Sequence, residues 1–271
     1  MGGHGCETTG VTARAKDGFL AAARELLERI ESTQQDALHD ASRICADAIA
    51  ADGLVHAFGT GHSRIPVEEL FPRYGSYPGF HPIVELSMTF HTQVVGANGQ
   101  RQAMFVERVE GLAAQILANF ELAPPDALLV FSAGGLTAVP LEMAMGAQER
   151  GLPVIAVTSV ANARASQPTH STGTRLMDHA DVVVDLCTPP GDALMELEGI
   201  DSPVAPGSTL AAVAIANEIK TRTAVALAEK GALPPILTSA ALVGAGRSEE
   251  LFDDAYAEHA RRARRVLRSQ S

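Results

Sequence analysis

Leu54-Val55-His56-Ala57-Phe58-Gly59-Thr60-Gly61-His62-Ser63-Arg64-Ile65-Pro66 opens as an apolar run of strand length and ends in a glycine-spaced loop. Helix-compatible residues follow through Leu70. The stretch therefore reads as strand, small-residue loop, helix. Amides at a helix start have no internal partner and carry partial positive charge, so Gly59, Thr60, Gly61 and Ser63 suit a phosphate or another anion.

Outward from this point the pattern repeats. Ala127 to Phe131 is a second buried strand, and Ser132-Ala133-Gly134-Gly135-Leu136-Thr137 is a second small-residue loop before a helix over Pro140 to Arg150. Val154 to Val157 forms a third strand with Thr158 and Ser159 at its carboxyl end, and Val182 to Val184 a fourth, between Asp181 and Asp185. An extended segment is expected around Pro82 to Leu86, one helix over Met104 to Phe120, and a long helix from about Thr209 to Lys230, capped by Ser208-Thr209. Ahead of the first strand, apolar stripes from Phe19 to Ile30 and from Ala37 to Ile49 mark two helices or one kinked one. Continuous apolar strands alternating with helical patterns indicate a parallel sheet covered on both faces.

Composition narrows the function. The chain has 271 residues, of which 46% are hydrophobic and 20% charged, enough to bury a full core. A net charge of −11 argues against a nucleic-acid partner, since binding phosphate backbone needs a concentrated basic face. The one basic run, Arg261 to Arg268, reads as a solvated helix face or a subunit contact. Cys6, Cys45 and Cys187 form no CxxC pair and leave one over, which fits a reducing cytoplasm, and no targeting or membrane-spanning segment is visible. A cytoplasmic protein with no membrane partner is expected.

In an open parallel sheet the ligand sits at the carboxyl ends of the strands, and three of those ends carry hydroxyls and glycines. The dinucleotide fingerprint fails because Arg64 stands where G-x-G-x-x-G needs a small residue. Neither a P-loop nor a G-x-S-x-G elbow occurs.

Gly59-Thr60-Gly61-His62-Ser63, Glu68-Glu69-Leu70-Phe71, Val139-Pro140-Leu141-Glu142-Met143-Ala144, Ala-Asp-Val-Val-Val-Asp over 180–185 and Pro189-Pro190-Gly191-Asp192-Ala193-Leu194 together resemble the sugar isomerase (SIS) domain family. The likeness is to a less characterised branch akin to N-acetylmuramic acid 6-phosphate etherases and phosphoheptose isomerases, and it spans roughly Ala15 to Leu242. It implies a three-layer αβα sandwich with a mostly parallel five-stranded sheet, divided as an N-terminal helical arm (1–50), a phosphosugar-binding domain (51–245) and a C-terminal helix (246–271). It also implies a homodimer or homotetramer with sites near the subunit contact. Ser63, Ser132 and Thr137 would hold the phosphate with help from Thr60, Gly61, Gly134, Gly135, Thr158 and Ser159. One departure stands out: the second loop reads Ser132-Ala133-Gly134-Gly135 where family members commonly show Ser-x-Ser-Gly, so one hydroxyl is missing.

Aldose–ketose isomerisation needs a base that moves a proton between adjacent carbons, plus a group that assists ring opening. Glu85 and Glu110 are the expected acid–base pair, resembling the two-glutamate arrangement of the etherases, and His62, His81 and His91 are candidates for proton transfer. Asp192 is expected to cap a helix, and Ala205 to Thr209 to close the sugar pocket. No metal-ligand spacing such as H-E-x-x-H occurs, so neither metal nor other cofactor is expected. The leading expectation is a sugar-phosphate isomerase, with a lyase of the etherase type or a non-catalytic phosphosugar sensor as alternatives.

Overall fold

A computed structural model describes residues 13–14, 18–89 and 99–267. His91 and Cys6 lie outside the described residues. The helices are α1 (Gly18–Thr33), α2 (Gln35–Ala50), α3 (Ile65–Leu70), α4 (Leu86–Thr89), α5 (Gly99–Val106), α6 (Leu112–Leu117), α7 (Ala138–Gln148), α8 (Val160–Ala165), α9 (Ser208–Glu229), α10 (Ala240–Val243) and α11 (Ala245–Val266). The strands are β1 (Ala13–Arg14), β2 (Val55–Gly59), β3 (Phe80–Pro82), β4 (Ala127–Phe131), β5 (Val154–Thr158), β6 (Val182–Asp185), β7 (Ala193–Glu196) and β8 (Val204–Pro206).

The main sheet has the order β3-β2-β4-β5-β6, and every neighbouring pair is parallel. All residues of β2, β4 and β5 are buried, as continuous apolar strands require when both faces are covered. Alternate side chains of each strand feed two cores, because successive residues point to opposite faces. Val55, Ala57, Leu129, Phe131, Ile155 and Val157 pack with Leu26, Ile30, Leu38, Ile49, Ile215 and Ile219 of α1, α2 and α9. Phe58, Leu128, Val130, Val154 and Ala156 pack with Ile116, Leu117, Val139 and Met143 of α6 and α7. The expected αβα sandwich is thus present, and α1 and α2 share a core with the sheet. A second, small sheet, β1-β7-β8, was not foreseen.

Two expectations about elements need correction. The extended segment lies at Phe80–Pro82, earlier than Pro82 to Leu86, and Leu86 already begins α4. The single helix over Met104 to Phe120 is broken: α5 ends at Val106, and Gly111, with φ +89°, starts α6 afresh. Periodicity carries across such a break because a short turn preserves which residues are apolar, whereas a left-handed glycine cannot continue a helix.

The basic run exposes Arg261, Arg264 and Arg265, as a solvated helix face does, but Arg262 turns inward. Arg262 is buried and donates to the carbonyls of Ile49 and Gly53, at 2.9 and 2.8 Å. Arg261 pairs with Asp52, and Arg265 with the fully buried Asp126. These residues precede β2 and β4, so α11 is strapped across the amino ends of the strands. The opposite edge is left for a ligand.

The candidate anion site

Strand order 3-2-4-5-6 reverses between β2 and β4, and a doubly wound sheet opens its crevice at the carboxyl ends of the two strands flanking that reversal. Gly59 ends β2 there. A Cβ on it would sit 2.2 Å from the Ser63 carbonyl oxygen, so only glycine allows the chain to fold back that tightly. Thr60 is extended, Gly61 has φ +56°, and the Ser63 amide donates to the Thr60 carbonyl at 3.0 Å, closing the 3-10 turn Gly61–Arg64.

The loop after β4 is built in the same manner. The Ser132 hydroxyl accepts from the Gly135 amide at 3.2 Å, and Gly135 takes φ +63° where a Cβ would meet Thr158 Oγ1 at 2.6 Å. Thr137 is extended at the N-cap of α7 without capping through its side chain. One long contact joins the loops: the Ala133 amide donates to Ser63 Oγ at 3.4 Å. His62, Ser63, Ser132, Ala133, Ser208 and Thr209 line the resulting cleft, whose volume is about 10 Å³. That is room for about one water.

Ser208 is the first residue of α9, and its environment revises the expected cap. Gly207 and Ser208 donate their amides to Asp192 Oδ1 at 3.2 and 2.7 Å, and the Ser208 hydroxyl donates to Asp192 Oδ2 at 2.6 Å. Asp192 caps a helix that starts sixteen residues later, and the expected Ser208-Thr209 side-chain cap is absent. With those amides occupied, the donors left to face a bound anion come from the β2 and β4 loops and from Thr209.

Thr158 and Ser159 sit below the cleft and do not line it. Thr158 is fully buried and its hydroxyl has no hydrogen-bond partner among the described residues. Ser159 Oγ donates to the Thr188 carbonyl at 2.7 Å and accepts from the Asn162 amide, capping α8. Asp185 accepts from the Val160 and Cys187 amides, but burial outweighs those bonds and raises its carboxyl above the usual value.

The carboxylates divide unexpectedly. Glu85 accepts from Ser87 Oγ at 2.7 Å and the Met88 amide at 2.9 Å, so it caps α4. Glu110 accepts from the Ser171 hydroxyl and amide, bonds that hold its carboxyl below the usual range. Neither lines the cleft. The carboxylate brought to the β2 loop is Glu107, whose Oε2 accepts from Thr60 Oγ1 at 2.7 Å. Its carbonyl accepts from the Val139 amide at the start of α7, which ties the α5–α6 break to the sheet edge. Arg108 and Glu110 beside it give Glu107 the look of a solvated helix face in sequence. His62 is exposed at the cleft. His81 lies away from it, near the amino edge of the sheet beside His56 and His259, where burial and its two imidazole neighbours push its pKa down to about 4.

A larger cavity of about 300 Å³ lies on the other side of the β2 loop, lined by Gly59, Arg64, Val67, Phe71, Ile83 and Val84 among others. Val67, Phe71, Pro82, Ile83 and Val84 give it an apolar wall, and Arg64, Glu68 and Thr89 its polar part. Among the described residues no helix is long and apolar enough to cross a membrane.

Comparison with known proteins supplies the family. The SIS domain model matches residues 18–159, just over half of the chain. A UPF0309 protein of Streptomyces coelicolor is 36% identical over 223 residues, covering 82% of this chain and 86% of that protein. One from Geobacillus kaustophilus is 32% identical over 240 residues, covering 89% and 93%. Among solved structures, phosphoheptose isomerase from Neisseria gonorrhoeae matches at 16% identity and a TM-score of 0.46, covering 75% of this chain and 94% of that one. The Vibrio vulnificus NanR protein complexed with ManNAc-6P matches at 14% identity and a TM-score of 0.46, covering 80% and 65%. The chain belongs to the SIS domain family, and to its UPF0309 members in particular.

Proposed function

We propose that the protein binds a phosphorylated sugar at the β2 and β4 loops and interconverts its aldose and ketose forms. The observation that carries this reading is the meeting of Ser63 and Ser132 at one switch point of a parallel sheet, with a carboxylate, Glu107, joined to the same β2 loop through Thr60. Phosphate enters by breaking the 3.4 Å contact between the Ala133 amide and Ser63 Oγ, after which both groups donate to it. Glu107 is assigned as the base because, of Glu85, Glu107 and Glu110, it is the one whose carboxylate bonds to the β2 loop, through Thr60. It takes the proton from C2 as O1 gains one and an enediol forms; the proton on the carboxyl exchanges with solvent before delivery to C1 as O2 loses its own, while the hydroxyl of Thr60 keeps the carboxylate oriented. His62 serves ring opening from the rim.

The chain is expected to act as a homodimer. Leu86 of α4 and Phe105 of α5 are exposed large apolar side chains on helices that pack together, and Val84 is exposed beside them. Sedimentation equilibrium checks this: Phe105→Glu should yield monomers where the parent gives dimers.

The activity is tested by incubating the protein with hexose, heptose and amino-sugar phosphates in deuterated water and following each by NMR. Deuterium at C1 or C2 is the expected result. Glu107→Gln should lower turnover by about 10²- to 10⁴-fold with binding nearly unchanged, and Glu85→Gln should leave turnover within a few-fold. Full activity in Glu107→Gln would remove the base assignment. Release of lactate would indicate ether cleavage, and binding without exchange would indicate a sensor.

A further inference from the structure

Three residues that the proposed reaction does not use meet on the α7 side of the β4 loop. Glu142 comes from the second turn of α7, Glu110 from the α5–α6 break, and His170 from the segment after α8. His170 Nε2 lies 3.2 Å from Glu142 Oε1 and 3.8 Å from Glu110 Oε2, and one donor atom from each of the three falls within 4.8 Å of the others. The side chains are 5% exposed for His170, 16% for Glu142 and 41% for Glu110, so the imidazole is held from behind while the carboxylates open toward solvent.

We propose that Glu110, Glu142 and His170 bind a divalent transition-metal ion of the zinc or manganese class, leaving further coordination positions for water or ligand. Donor atoms about 2.0–2.2 Å from a tetrahedral ion lie about 3.3–3.6 Å from one another, and the two measured separations from Nε2 bracket that edge. An imidazole with two carboxylates and an open position is a donor set suited to zinc or manganese and does not depend on thiolate.

Two further features separate this group from an ordinary patch of surface acids. Two like charges converge on one imidazole, and among the described residues neither carboxylate is ion-paired to a lysine or arginine. A dication held between them balances the charge of both carboxylates. The second feature lies on the far side of the ring. Nδ1 is 2.8 Å from Thr172 Oγ1, which is 2.7 Å from Thr174 Oγ1, in turn 2.7 Å from His179 Nε2. The Thr172 amide donates to Nδ1 at 3.2 Å, so without metal Nε2 carries the ring proton and donates it to Glu142; a metal that takes the Nε2 lone pair moves the ring proton to Nδ1, where Thr172 Oγ1 accepts it and the hydroxyl protons turn toward His179. A metal-bound histidine commonly donates its other ring N–H in this way. The carboxylates are positioned from outside the group too, Glu142 by the Gly111 amide at 2.8 and 2.9 Å and Glu110 by Ser171.

The site is independent of the proposed reaction, and its test reads metal binding alone. The full chain is stripped with a chelator and titrated with Zn²⁺ against a chromophoric indicator, then with Co²⁺ followed by visible absorption. One ion per chain is expected, with Co²⁺ d–d bands and no thiolate charge-transfer band. Glu110→Gln, at an exposed position that leaves folding intact by circular dichroism, should weaken binding at least tenfold. Thr172→Val, which touches no ligand carboxylate, should weaken it by about tenfold through the loss of the Nδ1 acceptor. Affinity unchanged in both variants, no binding at about 100 µM, or a thiolate band assigning the ion to cysteine would each overturn the proposal.

Discussion

Gly59 and Thr158 show how differently two residues of one strand-end region contribute. At Gly59 the missing Cβ allows the Ser63 carbonyl to close in, and the obstacle a side chain would meet is backbone at 2.2 Å, which cannot swing aside. Gly59→Ala should therefore cost about 1–3 kcal/mol, read as a lower urea midpoint, and should abolish anion binding because the 3-10 turn carrying Ser63 has to move. Thr158→Val should behave in the opposite way. The Thr158 hydroxyl is buried without a partner, so a methyl in its place relieves an unmet polar group, and stability should hold or rise by about 1 kcal/mol with anion affinity unchanged. Loss of affinity in Thr158→Val would return that hydroxyl to the site. Such residue-level outcomes are only half legible in sequence. The glycine spacing around Ser63 announces a tight loop on its own, since few other residues fit there. Glu107 was invisible because a glutamate beside Arg108 and Glu110 looks like a solvated face, and its bond to Thr60 joins residues forty-seven positions apart. Glu142 and His170 escaped for the same reason: metal-ligand spacing is a local test, and these ligands come from three separate segments.

Among the elements, α9 depends on a cap that its own sequence does not contain. Asp192 reaches the Gly207 and Ser208 amides from across the β7–β8 hairpin and holds the Ser208 side chain at the cleft. Asp192→Ala should cost about 1–2 kcal/mol in urea unfolding, from loss of the cap and of a negative charge at the positive helix end. Asp192→Asn should lose less than half of that, because its amide oxygen still accepts from both backbone groups and asparagine tolerates the φ of +68° found there. Equal losses in the two variants would mean that the charge alone matters. Long, uninterrupted elements such as α9 were readable from periodicity to within a residue at each end. The α5–α6 break was not, since Gly111 is a single residue inside an otherwise helical pattern and its left-handed conformation follows from where α6 must dock.

At the scale of the whole molecule, the two edges of the sheet have opposite characters. The layer order and the parallel sheet were legible because buried strands are written as apolar runs, each followed by glycine and hydroxyl residues. What happens at the amino edge was not, because a basic run at the end of a chain gives no hint of which acidic partners it meets. There α11 closes over His56, Asp126 and His81: His56 Nε2 lies 3.5 Å from Asp126 Oδ2, and His259 of α11 stacks on His81 with ring centroids 5.6 Å apart. Arg262 and Arg265 face the same group from α11. Burial lowers the His81 pKa to about 4 and also lowers that of His259, with Arg262 adding to the latter. Burial alone would raise the Asp126 carboxyl, but His56, Arg265 and the Leu54 amide more than offset it and hold it below the usual value. The sign follows from linkage. Between about 6.5 and about 4 the unfolded chain binds a proton at His81 that the folded chain does not, so stability is fully present above 6.5 and falls as the pH drops toward 4. The slope is about 1.4 kcal/mol per pH unit for one such group, and His259 acts in the same sense. Asp126 adds to the loss at lower pH, while the raised carboxyl of Asp185 opposes it. A competing effect comes from the net charge of −11, whose self-repulsion diminishes on approach to the isoelectric point near 5.2 and so favours folding there. The two are separated by comparing variants, since the overall charge changes little with one histidine. Urea unfolding measured from pH 7.5 to 4.5 should show the parent losing stability faster than His81→Phe, the difference growing steadily below about 6.5. Parallel curves for the two proteins would mean that the imidazoles beneath α11 are protonated as readily when folded as when unfolded.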